Sequence, residues 1–477
     1  MLYNMLKEYA ASGVYPMHMP GHKRNTELLP PGLPYEVDVS EIHGFDNLHD
    51  AKGILRDTAE IAARIYGSDR AFPLVNGSTA GIIAAIGAQA GRGDKILMAR
   101  NCHLSVYNAV ALFGISPVYI VPKVDEATGI ACSIEPADVE SMLEADPEVK
   151  LVVVTSPTYE GVVSDIGSIA GVAHSRGVPL MVDSAHGAHL GFSAGFPESA
   201  VKSGADVVVM SLHKTLPALT QCALLHICSG LADKDEIARM LAVLQTSSPS
   251  YVLMASIDCC LRLLETDGDR LFREYERNLE QFGREAGALE KLAILRKIGG
   301  APHPDIFALD PGRIVITTKK TALSGVMLAD ILREEHKIEL EMESAVYAVA
   351  ITGVCDTAEG FARLSGALVD IDRSLPGGGR QGGSGQQEHS SFVLPEQKSA
   401  PGDALKRRGD FIPLAESIGA VSLEYVWAYP PGAPVLAPGE IINADTVSYI
   451  GRMIRAGIAP KSTRGRLPEA IYAFSPS

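Results

Sequence analysis

Two stretches, Asp183-Ser-Ala-His186-Gly and Ser211-Leu-His213-Lys214-Thr215, each follow a short apolar run: Pro179-Leu-Met-Val-Asp183 in the first case and Asp206-Val-Val-Val-Met-Ser211 in the second. Unbroken runs of this kind, rich in valine and bounded by polar residues, suit strands of a parallel sheet covered on both faces. Residues at the carboxyl ends of such strands stand at the rim where open α/β sheets bind ligands. The pattern therefore places a carboxylate and a lysine at neighbouring strand ends. Working outward, further strands are expected at 95–99, 117–121, 151–155 and 223–228. Helical periodicity begins near Asp57 and recurs at 138–144, 166–176 and 262–290. Strands alternating with helices predict a doubly wound, mostly parallel sheet in an α/β fold.

An aspartate and a lysine in that setting point to pyridoxal phosphate. Lysine forms a Schiff base with the aldehyde, and a carboxylate pairs with the protonated pyridine nitrogen. A lone Ser-x-His-Lys would more often be a solvated loop; two complementary strand ends argue for chemistry. A phosphate site is expected where Asn76-Gly77-Ser78-Thr79-Ala80-Gly81 opens an apolar helix, because the first amides of a helix have no intrahelical partner. An ordinary Ser/Thr cap is the alternative there.

With 477 residues, 46% of them hydrophobic, and a mean hydropathy of +0.12, the chain can build a large core and more than one domain. No apolar run reaches the length of a membrane span, and Met1–Tyr15 has no signal-peptide core, so a cytoplasmic protein without a membrane partner is expected. A net charge of −15 argues against nucleic acid as a partner. Seven scattered cysteines without a Cys-x-x-Cys pair read as free thiols in a reducing compartment. His186 and His189 have no further ligand at matching spacing, so no metal site is expected.

The chain divides into an irregular N-terminal segment (1–57), a large α/β domain (58–298) and a smaller α/β domain (299–375). A Gly/Gln-rich flexible linker (376–402) and a C-terminal domain (403–477) follow.

In order along the chain stand Met19-Pro-Gly-His-Lys23, Asp46-Asn-Leu-His-Asp50, Asn76-Gly-Ser-Thr-Ala-Gly81 and Asn101-Cys-His103-Leu-Ser105. Then come Ser156-Pro-Thr-Tyr-Glu-Gly161, Asp183-Ser-Ala-His-Gly-Ala-His189, Ser211-Leu-His-Lys-Thr215, Gln245-Thr-Ser-Ser-Pro-Ser-Tyr251 and Tyr429-Pro-Pro-Gly432. Each motif is weak alone. Jointly, and over nearly the whole chain, they resemble the short form of the ornithine/lysine/arginine decarboxylases, a family of fold type I pyridoxal-phosphate enzymes. The resemblance implies an aspartate aminotransferase-like large domain and decarboxylation of a basic amino acid to a di- or polyamine and CO2. It also implies a homodimer or higher homo-oligomer with its active sites at the interface.

By that resemblance Lys214 is the Schiff-base lysine, Asp183 the partner of the pyridine nitrogen and His103 the imidazole stacked on the ring. Ser78, Thr79, Ser211 and His213 form the phosphate cup. His186 lies near the cofactor's phenolic oxygen, with Ser156 and Thr158 lining the same side. Lys214, or His213 beside it, returns a proton to Cα. Ser248 reaches the neighbouring subunit's cofactor. A basic substrate also calls for carboxylates at its distal end; Glu424 and Asp46 are assigned to it, with Glu41 and Asp50 as further candidates. Arginine is favoured over lysine and ornithine. An aminotransferase, or a non-catalytic regulatory member, stays open. The aminotransferase would want an arginine to fork the substrate carboxylate, and Arg363 falls on the flank of an amphipathic helix instead.

Overall fold

The computed structural model describes residues 1–25, 27–125, 128–295, 304–376, 393–428 and 432–475. Its centre is a seven-stranded sheet that includes β1 (Arg70–Leu74), β2 (Lys95–Ala99), β3 (Ser116–Ile120) and β4 (Val149–Thr155). From one edge to the other the order is β1, Ala223–Ile227, Val207–Ser211, Leu180–Asp183, β4, β2, β3. The five strands from Val207–Ser211 to β3 run parallel, whereas Ala223–Ile227 and β1 are antiparallel to their neighbours. All five residues of Val207–Ser211 and all four of Leu180–Asp183 are buried, as their continuous apolar runs require. Asp183 pairs in register with Thr155 and Val209, so the ends of three neighbouring strands share one edge.

Helices α3 (Gly77–Gln89) and α4 (Leu104–Phe113) start at that carboxyl edge. Gly77 leads into α3 with φ +74°, a conformation that a side chain would strain. The helix Tyr251–Ala286 is 36 residues long and starts at an Ser250 cap, well before the periodicity expected at 262–290.

The N-terminal segment is more ordered than its Pro- and His-rich composition predicts. Leu2–Ala11 forms helix α1, and Leu2 and Leu6, one turn apart, are both fully buried. Asp258 on the long helix ties three helices together. Its carboxylate accepts hydrogen bonds from the Leu2 amide (2.9 Å), Thr58 of α2 (Ile54–Tyr66; 2.9 Å) and Arg262 Nε (2.8 Å).

A four-stranded antiparallel sheet joins Ala293–Ile294 to Arg313–Thr317, Tyr347–Ile351 and Met342–Glu343, flanked by helices Gly325–Glu334 and Ala358–Ser374. Asp310 and Gly312 turn the chain between the strands Ala308–Leu309 and Arg313–Thr317. Most of the expected linker, residues 377–392, lies outside the described residues, as do Tyr429–Pro431 of the Tyr-Pro-Pro-Gly motif and the 296–303 junction. The described end of that linker is not free. The amides of Lys398 and Ser399 donate to Gly439 O, and Pro401–Ala404 is a short helix with Pro401 and Gly402 buried.

Two three-stranded sheets then carry the C-terminal residues around a core that includes Val426, Leu436, Ile450 and Ile471. They are fastened to the large sheet by a buried ion pair. Arg100, just past β2, donates to both oxygens of Glu440 at 2.8 and 3.1 Å, and Tyr425 donates to Tyr107 O at 3.0 Å. No helix among the described residues is long and apolar enough to cross a membrane.

Candidate active site

A cavity of about 400 Å³ opens at the carboxyl edge of the large sheet. Its walls come from strand ends (Thr155, Asp183), from loops that follow strands (Asn101, His103, Lys214) and from the small sheet (Glu341, Ile351). Ala433, from the C-terminal part of the chain, completes the lining.

Lys214 sits in a short 3-10 turn after Val207–Ser211, with its Nζ 2.9 Å from His186 Nε2. Burial lowers the lysine's pKa; Asp183 opposes the shift and Arg313 adds to it. Asp183 is 2% exposed and accepts a hydrogen bond from the Ala185 amide. Burial raises its pKa, against the pull of His103 and Lys214. A buried carboxylate in this state is stabilised by any cation brought against it.

His103 caps α4, with its Nδ1 accepting from the Ser105 amide at 3.2 Å, which fixes the ring at the mouth of the helix. Burial keeps it below its ordinary pKa. His213 contacts the Cys222 carbonyl through Nδ1 at 3.0 Å; a carbonyl only accepts, so this nitrogen carries a proton. At the start of α3, Ser211 donates to Ser78 at 3.0 Å.

Pyridoxal phosphate fits this donor set. Ser78 and the first amides of α3 offer an anion site, Asp183 awaits a cation, and Lys214 offers an amine. A further polar atom in the lining, Asn101 Oδ1, is buried without a hydrogen-bond partner among the described residues.

Of the residues singled out from the sequence, the cavity brings together Ser78, His103, Thr158, Asp183, His186, His213 and Lys214. Ser211 lies just behind it, on Ser78. Thr79 is exposed on the first turn of α3, and Ser248 is exposed before the long helix. Ser156 is buried, with its hydroxyl accepting from the Ser164 amide, so it supports the loop and does not line the cavity.

The two expected substrate carboxylates are corrected by the structure. Glu424 is fully buried, with its oxygens accepting from the amides of Arg464 (2.9 Å) and Tyr472 (2.7 Å) inside the C-terminal sheets. Asp46 accepts from the amides of Asn47, Lys52, Gly53 and Leu55. Burial pushes its pKa up, but those four amides outweigh it and hold the pKa below the usual value. Both acids serve backbone donors, as short acidic side chains next to turns and helix starts do. Glu41 and Asp50 are also outside the cavity lining, and Asp50 pairs with Lys52. Arg363 donates to the carbonyls of His336 and Lys337 and does not reach the site.

Besides Asp183, the carboxylates that line the cavity are Glu160 and Glu341. Glu160 accepts from Tyr347 Oη at 2.9 Å and from Thr158 Oγ1 at 3.1 Å, and Glu341 accepts from Tyr159 Oη. Glu160 belongs to the Ser-Pro-Thr-Tyr-Glu-Gly stretch and was within reach of sequence reasoning. Asn101 and Thr155, at strand ends, could have been found by the same edge rule that gave Asp183. Nothing in the sequence marks Glu341, which enters through the folding of the small sheet.

A family model described as "Orn/Lys/Arg decarboxylase, major domain" matches residues 1–345, and one for the C-terminal domain of the same enzymes matches 386–457. The chain belongs to the Orn/Lys/Arg decarboxylase family. Its chemistry is therefore pyridoxal-phosphate-dependent decarboxylation of a basic amino acid, a carboxy-lyase reaction. An arginine decarboxylase of Bacillus subtilis (strain 168) is 33% identical over 467 residues, covering 96% of this chain and 94% of that protein. Among solved structures, the lysine decarboxylase LdcF of Francisella novicida superposes with a TM-score of 0.83 at 20% identity, covering 99% of this chain and 81% of that one. An alanine–glyoxylate aminotransferase from Nostoc sp. matches 66% of this chain and 86% of its own, with a TM-score of 0.53 at 14% identity. The sheet of this decarboxylase thus follows the fold expected from its strand order.

Proposed function

We propose that the chain decarboxylates arginine, and that Glu341 and Glu160 receive the guanidinium. The observation that carries this reading is the presence of both carboxylates in the same cavity as Lys214 and Asp183. A planar guanidinium with five donors matches carboxylates better than an ammonium does, because it forks across two acceptors. The similarity to an arginine decarboxylase supports the same choice.

When bound, pyridoxal phosphate supplies the electron sink for the pair released as the carboxylate leaves. The other roles fall to the chain. Lys214 would hold the cofactor's aldehyde through its amine, and it stands in the cavity where it could carry a proton to the substrate's Cα. Asp183 keeps a proton on the pyridine nitrogen. His103, fixed by the α4 cap, covers the ring face. Ser78, Ser211, His213 and the Thr79 amide hold the phosphate. Arginine, lysine and ornithine offered separately to the purified, cofactor-loaded protein test the substrate. Agmatine and CO2 from arginine are expected, and faster CO2 release from lysine or ornithine would overturn the choice.

The same reading makes the working unit a homodimer. Val14, Tyr15, Met17, Met19, Leu28 and Leu33 expose large apolar side chains in one N-terminal segment, a patch that a second copy would cover. Exposed Ser248 would then serve the partner's phosphate site. Seven unpaired thiols favour the cytoplasm as its compartment.

A further inference from the structure

Behind the cavity lies a buried polar chain that the roles above leave unused. Arg313, the first residue of its strand, is 2% exposed. Its Nη2 donates to the His186 carbonyl at 3.0 Å and meets His186 Nδ1 at 3.3 Å, and its Nη1 is 3.7 Å from Asp310 Oδ2. Asp310 in turn accepts from His189 Nε2 at 3.0 Å and from the Gly312 amide at 2.8 Å. Space for the arginine comes from Gly161. A Cβ there would stand 2.7 Å from Arg313 Cβ, and its φ of +90° disfavours any side chain.

Guanidinium donates and never accepts. A ring nitrogen that faces it must therefore present a lone pair. With Nδ1 so occupied, a neutral imidazole carries its hydrogen on Nε2, the atom 2.9 Å from Lys214 Nζ. An ammonium has three hydrogens and no lone pair, so only a neutral lysine accepts from that Nε2–H.

We propose that Arg313 is a positioning residue that locks His186 in its Nε2–H tautomer, so that a donor faces Lys214 and the lysine is held as the free amine. The inference concerns the chain's own residues and stands whichever basic amino acid is the substrate. The charged and titratable groups facing the pair are Asp183, His103, Arg313, Glu341 and Tyr159, whose ring lies 4.5 Å from that of His186, with His189 behind. Burial, with the Arg313 guanidinium beside it, depresses His186 well below its ordinary pKa, so the ring is neutral and its tautomer is the property left to set. Asp310 stays ionised to balance Arg313: burial raises its pKa, but His189, Arg313 and the Gly312 amide outweigh burial.

The test is ring-nitrogen NMR of the full-length protein carrying 15N-labelled histidine, with and without pyridoxal phosphate, assigned by His186→Gln. A pyridine-type Nδ1 and a pyrrole-type Nε2 are expected for His186. In Arg313→Met the Nδ1–H form should gain population, while Arg313→Lys, which retains a donor, should preserve the wild-type pattern. A second readout is the pH profile of Lys214 reductive methylation in cofactor-free protein. Loss of one charge-assisted hydrogen bond should shift it upward by about one pH unit in Arg313→Met. A merely structural role would lower stability and leave the His186 tautomer as in wild type. A wild-type His186 protonated on Nδ1 overturns the proposal even if Arg313→Met does not fold. So does a folded Arg313→Met protein with an unchanged tautomer.

Discussion

Replacing Glu341 by Gln removes one negative charge from the cavity wall and little else. The side chain is exposed, and its one described hydrogen bond, from Tyr159 Oη, can be kept by the amide oxygen. A hydrogen bond to a charged group contributes about 1.5–3 kcal/mol, and every 1.4 kcal/mol is about tenfold. Water reaches Glu341, so the lower end applies, and kcat/KM for arginine should fall about tenfold. Glu160 provides the comparison. It is 9% exposed and accepts from two hydroxyls, so Glu160→Gln forfeits a buried charge and one acceptor together; a loss nearer a hundredfold is expected, with lowered stability. Steady-state decarboxylation at saturating cofactor measures both. Citrulline, which has the shape of arginine but no cation, serves as the control substrate, and the preference for arginine over citrulline should shrink in Glu341→Gln. A folded Glu341→Gln protein with kcat/KM on arginine within about twofold of wild type, and an unchanged preference, would refute the assignment.

Four further outcomes are expected. Asp183→Asn should lower turnover by orders of magnitude while cofactor still binds, which absorbance and product assays check together. Glu440→Ala leaves the Arg100 guanidinium buried without its partner; this should destabilise the fold by about 3–5 kcal/mol, read from urea midpoints, with only Arg100→Met/Glu440→Met recovering part of the loss. His226 is fully buried, with its pKa lowered to about 3, whereas the unfolded chain takes up that proton near the ordinary value of about 6.5. The unfolded state therefore binds more protons between those values, and stability is present above about pH 6.5 and lost as pH falls, by about 1.4 kcal/mol per unit. His226→Leu should flatten that slope in urea titrations at several pH values. Finally, Lys214→Ala protomers mixed with Ser248→Ala protomers should regain activity through hybrid sites, and a fully active monomer in sedimentation would exclude the dimer.

Most strands of the large sheet and the position of the lysine and aspartate were readable because they depend on local composition. A buried parallel strand has to be apolar throughout, and its carboxyl end has to turn polar, so 180–183 and 207–211 announce both the element and the edge. Helix α1 was missed because Leu2 and Leu6 give only one repeat of the helical period, too little to stand out without the surface of the long helix that buries them. The N-terminal and C-terminal acids were misread for a related reason. A sequence shows that Asp46 and Glu424 are charged, but not that backbone amides seven and 48 residues away already occupy their oxygens.

The sequence by itself thus determined the sheet, the cofactor chemistry and the family, since each rests on short runs whose meaning is local. Tertiary structure decided which acids line the cavity and which groups surround Lys214. Glu341 and Arg313 arrive from a small sheet more than a hundred residues after Asp183 in the chain, and only folding brings them to the cavity wall and to the ring of His186. Electrostatic recognition depends on distances of a few ångströms in space, and separation along the chain carries no record of those.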